Sequence, residues 1–144
     1  MKKAFSLIEL LIVMSVVAIL VAIIIPSFRG IQQEGWMTKA EKEVHTLQLA
    51  IESYYRHKNA YPTGLSDLLT AQPQIINTMP KDPWKTDGDN YGYEKGTMAG
   101  FGEYYVVYSK SINGNKEWQV NTGTPSLLSN GDDVVLSNLP VVKQ

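Results

Sequence analysis

Hydrophobic positions along this chain fall into three regimes. The first runs from Phe5 to Ile25 and is apolar all round, with Glu9 its only charge. As a helix rising 1.5 Å per residue it reaches roughly 30 Å, the thickness of a bilayer's hydrocarbon core. Lys2 and Lys3 precede it, and basic residues beside a span favour the cytoplasmic side, which sends the remaining chain across the membrane. The second regime, Thr38 to about His57, is amphipathic. Ala40, Val44, Leu47, Ile51 and Tyr54 recur at helical spacing, while Lys39, Glu41, Lys42, Glu43, Gln48 and Glu52 fall mostly off that stripe. In the third, short alternating or aromatic runs at Tyr91–Glu94, Tyr104–Ser109 and Glu117–Asn121 predict strands.

Punctuation between the regimes refines the elements. Pro26 cannot donate its helical hydrogen bond, and Gly30 and Gly35 each cost about 1 kcal/mol relative to alanine. Residues 22–35 are therefore the weakest part of a long helix. That helix is expected to end near Lys58-Asn59, because Asn favours helix ends. Leu65, Leu68 and Leu69 predict one short helix, with Thr63 or Ser66 as its cap. Residues 70–90 are loop-rich, with Pro73, Pro80 and Pro83, and Trp84 reads as a packing anchor for that loop. Asn113-Gly114 predicts a hairpin turn joining the last two strands. The expected fold is α+β: a long N-terminal α-helix, transmembrane in its first half and amphipathic in its second, packed on a small antiparallel β-sheet. The eight tyrosines read as packing residues of the helix face and the strands.

Glu9 is the residue that does not fit an inert anchor. A carboxylate inside a span costs a few kcal/mol unless paired. Near a helix start, the macrodipole and snorkelling can ease that cost. The stronger alternative is a cation. A cut between Ala4 and Phe5 would create one at the new amine, and a charge pair at ~4 Å is attracted by ~4 kcal/mol at an effective dielectric near 20. The amine of the same chain lies a full turn away, so a neighbouring chain is the natural partner.

The basic leader, Phe5-Ser-Leu-Ile-Glu9 and Pro26 twenty-one residues past Phe5 resemble the class III signal of type IV pilins and type II secretion pseudopilins. Glu52-Ser53-Tyr54-Tyr55, Tyr61-Pro62 and Asp82-Pro83-Trp84 resemble the pseudopilin branch. The resemblance implies a pilin-like fold in three parts: a leader over 1–4, an assembly helix over 5–25, and a periplasmic domain over 26–144. It implies cleavage by a prepilin peptidase between Ala4 and Phe5, usually with N-methylation of Phe5, and pairing of Glu9 with the Phe5 amine of a neighbour. Ala4 departs from the family's usual glycine before the cut, and Lys85 from the glycine after Asp-Pro-Trp. Implied partners are copies of the chain itself, minor pseudopilins, the inner-membrane assembly platform and the membrane. The subunit would sit in the bacterial inner membrane as a single-pass protein, then in a periplasmic filament that moves folded proteins outward. A type IV pilin or minor pilin, serving adhesion, motility or DNA uptake, is the alternative within the superfamily. A membrane-anchored periplasmic binding domain that never polymerises is the alternative outside it.

Composition narrows these choices. About 115–120 of the 144 residues follow the span, one small domain. The net charge is −1; losing two of its 13 basic side chains against 14 acidic ones moves it to −3, so no basic excess points to nucleic acid. Cysteine is absent, although an exported domain would permit disulfides. Type IV pilins usually carry a disulfide, whereas the major pseudopilins that the chain resembles usually hold calcium instead. Calcium takes six to eight oxygens. On that resemblance Asn113, Asp132 and Asp133 are the implied ligands, with a backbone carbonyl near Lys110. From spacing alone, Asn-Gly and Asp-Asp are equally ordinary turn chemistry. His45 and His57 are twelve apart, without a zinc-pair spacing. Gly100-Phe101-Gly102 lacks the rest of a phosphate-binding loop, and no nucleophile elbow is present. A non-enzymatic protein is expected.

Overall fold

The structure, a computed structural model, describes residues 6–85, 90–110, 114–121, 123–124, 126–129 and 133–143. Helix α1 spans Leu7–Lys58 without interruption, Pro26, Gly30 and Gly35 included. The chain divides into two compact units, Met1–Gly35 and Trp36–Gln144.

In the first unit α1 contains an 18-residue apolar window long enough to cross a membrane, and none of it is buried within the chain. Its large apolar residues from Leu7 to Ile25 are 47–83% exposed. An unbroken apolar surface of this kind needs lipid or other protein around it.

In the second unit the apolar stripe of α1 faces inward. Ala40, Val44, Leu47 and Ile51 are buried with Leu65, Leu68, Tyr91, Tyr105 and Val107 in one cluster. The helix ends where Asn59 adopts φ 52°, a left-handed conformation that Asn tolerates, with its N–H bonded to the Tyr55 carbonyl at 2.7 Å. In the short helix α2, Asp67–Thr70, Ser66 takes the N-cap position as expected. Ser66 makes no side-chain cap bond. Instead the Asp67 carboxylate reaches back and accepts the Thr63 N–H and hydroxyl, both at 2.7 Å, and the Gly64 N–H at 3.4 Å.

Among the described residues six strands follow: β1 (Gly92–Met98), β2 (Gly102–Ser109), β3 (Trp118–Asn121), β4 (Ser126–Ser129), β5 (Val134–Ser137) and β6 (Val141–Lys143). They form two sheets, not one. The first is antiparallel with order β1-β2-β5; the second has order β3-β4-β6, with β4 and β6 parallel. The expected hairpin between Tyr104–Ser109 and Glu117–Asn121 is therefore not formed. The reason is edge availability: β1 occupies one edge of β2 and β5 the other. Asn113 lies outside the described residues, and Gly114, at φ 67°, leads into a strand of the other sheet. A hairpin does join β1 to β2, and β3 and β4 also pair antiparallel. In the first hairpin the two strands meet at Met98 and Gly102. Its turn is closed by the Phe101 N–H on the Met98 carbonyl, with Gly100 and Gly102 at φ 83° and 98°.

Strand β2 is buried on both faces. Tyr105 and Val107 join the helix-facing cluster. Val106 and Tyr108 join a second cluster with Met98, Trp118, Leu127, Val135 and Leu139. Helix, first sheet and second sheet thus share β2 as the middle layer, which accounts for its continuous apolar run. Gly92, opposite Tyr108 in the register, lies under that tyrosine's ring, and a Cβ there would come within 2.3 Å of it.

Candidate functional site

Glu9 lies in the first turn of α1 and is exposed. Among the described residues its carboxylate has no hydrogen-bond or ion-pair partner. The residues of α1 next to it in the first two turns are Leu, Ile and Val. Ala4 and Phe5 lie outside the described residues, and Pro26 is inside α1.

The residues implied as calcium ligands are only partly visible. Asn113 and Asp132 lie outside the described residues. Asp133 is buried directly before β5, and its Oδ2 accepts the Glu117 N–H at 2.9 Å. Ser109 pairs with Val134 at the end of the β2–β5 ladder. Lys110 and Asp133, the next residue of each strand, therefore leave the same end. Their donors are a carboxylate and a carbonyl, both hard oxygens of the kind calcium selects. Among the described residues no group of three or more His, Cys, Asp or Glu is positioned around a common point.

The polar chemistry of the second unit is concentrated where the sheet meets α1. The Tyr91 hydroxyl donates to Glu43 at 2.6 Å, and the Tyr105 hydroxyl to Glu52 at 2.7 Å. The Tyr93 hydroxyl donates to the Pro62 carbonyl at 2.8 Å. Burial pushes all three phenols well above the ordinary range. For Tyr91 and Tyr105 the carboxylate each one donates to adds to the effect, and for Tyr93 the charge of Asp67 does. Pattern reading placed Glu43 and Glu52 with the residues off the stripe and missed this role. They flank it, nine positions apart on the helix.

A sign follows for pH. A phenol held protonated in the fold loses its proton first in the unfolded chain. The stability it contributes is complete below about pH 10 and falls as pH rises beyond that. In an alkaline titration Tyr91, Tyr93 and Tyr105 are expected to ionise together with unfolding, so that tyrosinate absorbance and loss of circular dichroism coincide for them. Ionisation of these three near pH 10 with the fold intact would contradict the buried pairs. At the acid end, the hydrogen bonds from Thr63 hold Asp67 below the usual carboxylate range. Its contribution is present above the unfolded value and is lost as pH falls through the folded one.

The loop carrying Asp82-Pro83-Trp84 is built around a buried acid. Asp82 is 2% exposed. Its Oδ1 accepts the Trp84 N–H at 3.1 Å and its Oδ2 accepts the Ser109 hydroxyl at 2.9 Å. Trp84 packs edge-on against Trp36 of α1, ring centroids 5.3 Å apart, so it is the packing anchor expected. His45 and His57 sit on the helix surface, beside the Gln48 side chain and the Ser53 carbonyl respectively.

Comparison with known proteins adds to this geometry. Residues 1–25 match the model of the prokaryotic N-terminal methylation motif. The type II secretion system core protein G of Vibrio cholerae is 30% identical over 117 residues, covering 69% of this chain and 78% of that protein. The protein of the same name from Pseudomonas aeruginosa is 28% identical over 118 residues, covering 72% and 81%. For that from Pectobacterium carotovorum the identity is 28% over 100 residues, covering 60% of this chain and 64% of the relative, just under two thirds of its length. No solved structure matches the chain. An exposed apolar helix bearing one acid, followed by a helix-and-sheet unit, agrees with these matches, and the chain belongs to the family of the type II secretion system core protein G.

Proposed function

We propose that this chain is a structural, non-catalytic subunit of a periplasmic pseudopilus that serves type II protein secretion. In this reading it begins as a single-pass inner-membrane protein with the domain over 26–144 in the periplasm. Prepilin peptidase cuts between Ala4 and Phe5, and Phe5 is N-methylated. The subunit then leaves the bilayer through the inner-membrane assembly platform and joins other copies of itself, with minor pseudopilins. The observation that carries the proposal is the apolar part of α1 up to Ile25, whose large apolar residues are exposed and whose one charge is Glu9. In lipid that surface is satisfied. Outside lipid only a bundle of like helices satisfies it, and in this reading the Phe5 amine of a neighbour supplies a positive charge that Glu9 lacks among the described residues. The test is reconstitution with the secretion machinery of the same cell. Deleting the chain is expected to stop export and remove the filament; export continuing at its normal level without it would end the proposal.

A calcium ion is part of the same proposal. Asp133 and the Lys110 carbonyl, with Asn113 and Asp132, would hold it and would tie the end of the β2–β5 ladder to the segment after β4. Asn in place of an aspartate at 113 removes one charge and weakens binding. Ligand binding to the folded state alone raises stability by ~2.7 kcal/mol at a hundredfold excess over the dissociation constant. Calcium is therefore expected to raise the melting temperature by roughly 10 °C or more over a chelated sample. Identical melts would remove calcium and leave the filament reading untouched.

A further inference from the structure

Four side chains form a closed circuit where the chain passes from the first sheet to the second. Strand β2 ends at Ser109 and β3 begins at Trp118. Just before β3, Lys116 reaches back to β1. Its ammonium lies 3.1 and 3.0 Å from the two carboxylate oxygens of Glu94, and 3.7 Å from the centre of the Trp118 ring. The Tyr108 hydroxyl donates to the same carboxylate at 3.3 Å, and the Tyr108 and Trp118 rings pack with centroids 4.9 Å apart. Gly92, two residues before Glu94 and on the same face of β1, leaves the space that the Tyr108 ring crosses to reach it.

Each contact is weak alone. The Lys116 and Glu94 side chains are 40% and 46% exposed, where an ion pair gains little and a cation over a ring gains little more. Both surfaces that the ammonium meets are fixed, however. Glu94 belongs to a seven-residue strand, and the Trp118 ring is buried in the second cluster. Between Lys116 and Trp118 stands Glu117, whose N–H donates to Asp133 Oδ2 at 2.9 Å. A clasp on one side of Glu117 and a buried ring on the other set where that N–H points.

We propose that Lys116 is a positioning residue for the Asp133 carboxylate: clasped to Glu94 across the Trp118 ring, it keeps the Glu117 N–H on Asp133 and presets that acid for a cation. The cation rests on the calcium reading above; the clasp does not. A donor oriented beforehand binds with less ordering cost. Where only a fraction of molecules hold it so, the apparent dissociation constant rises by the inverse of that fraction.

The test uses the full chain in detergent micelles and Lys116→Met, which keeps the length of the stem and removes the charge. With chelator present, the Glu117 amide is expected to exchange about tenfold faster than in the wild type, while the Val106 and Val107 amides keep their rates. In a calorimetric titration the dissociation constant for calcium is expected to rise roughly fivefold. Glu94→Gln is expected to reproduce both changes, and it decides the matter if Lys116→Met fails to fold. Lys116→Arg, which meets both a carboxylate and a ring, is expected to restore most of the wild-type behaviour. An unchanged Glu117 amide, or faster exchange at Val106 and Val107 as well, overturns the clasp. An unchanged dissociation constant in both charge-removing variants overturns the positioning role alone. A wild type that binds no calcium ends the calcium reading and the role toward a cation with it, whatever the amides show.

Discussion

Replacing Glu9 by Ala is expected to abolish filament formation while leaving the folded second unit unchanged. The two halves of that expectation have separate grounds. Glu9 is exposed and in the first unit, so its loss removes nothing from the clusters around α1 and the sheets, and the melting temperature of the second unit should stay within about 1 °C. In the assembled state proposed here the same carboxylate is enclosed by apolar helices and paired with an amine. Removing one partner of a buried pair costs about 3–5 kcal/mol, because the other charge stays buried alone. Repeated at every subunit, that is a factor of roughly 10² to several times 10³ in each addition step. Glu9→Gln is expected to behave like Glu9→Ala, because shape is kept and charge is lost. Yield is read by pelleting sheared filaments from cells that express each variant at equal level. Normal yield from both would mean that the acid has no part in assembly.

Leu47→Ala is expected to destabilise the second unit by about 2–5 kcal/mol, whereas Leu49→Ala should change it by less than about 0.5 kcal/mol. These leucines are two residues apart on α1. Leu47 is 1% exposed, between Val44 and Ile51 in the helix–sheet core, and Leu49 is 59% exposed. Leu47 belongs to the same buried cluster as Tyr105, which is itself fully buried, so the core around position 47 can collapse only in part. For a unit of this size the loss corresponds to a fall in melting temperature of roughly 10–20 °C. Calorimetry on both variants checks it. Equal shifts would mean that the stripe does not face the sheet.

The stripe itself was legible because helical spacing over five apolar positions leaves one face to bury. The end of α1 was legible from Asn59, and the isolated charge at Glu9 from nothing more than the residues around it. Strands β4, β5 and β6 were not read at all. They are three or four residues long, and Ser126-Leu-Leu-Ser129 or Val134-Val-Leu-Ser137 carries too few positions to show a period. The second sheet was hidden for a related reason. Asn113-Gly114 is a local turn signal, and a local signal does not say whether the next strand finds a free edge; β1 and β5 had already taken both edges of β2. One sign was available, the unbroken run Tyr104–Ser109, since a strand apolar on consecutive positions has both faces covered. The tyrosine–glutamate pairs were missed because helical periodicity sorts Glu43 and Glu52 by polarity. Their partners, Tyr91 just before β1 and Tyr105 in β2, lie roughly fifty residues later.

The most direct measurement is the mass and N-terminal sequence of the chain recovered from sheared periplasmic filaments. A polymerised subunit that begins at Phe5 and carries a methyl group on its amine is the result expected. Filaments without this chain, or a chain found only as a membrane monomer that still starts at Met1, would contradict the account.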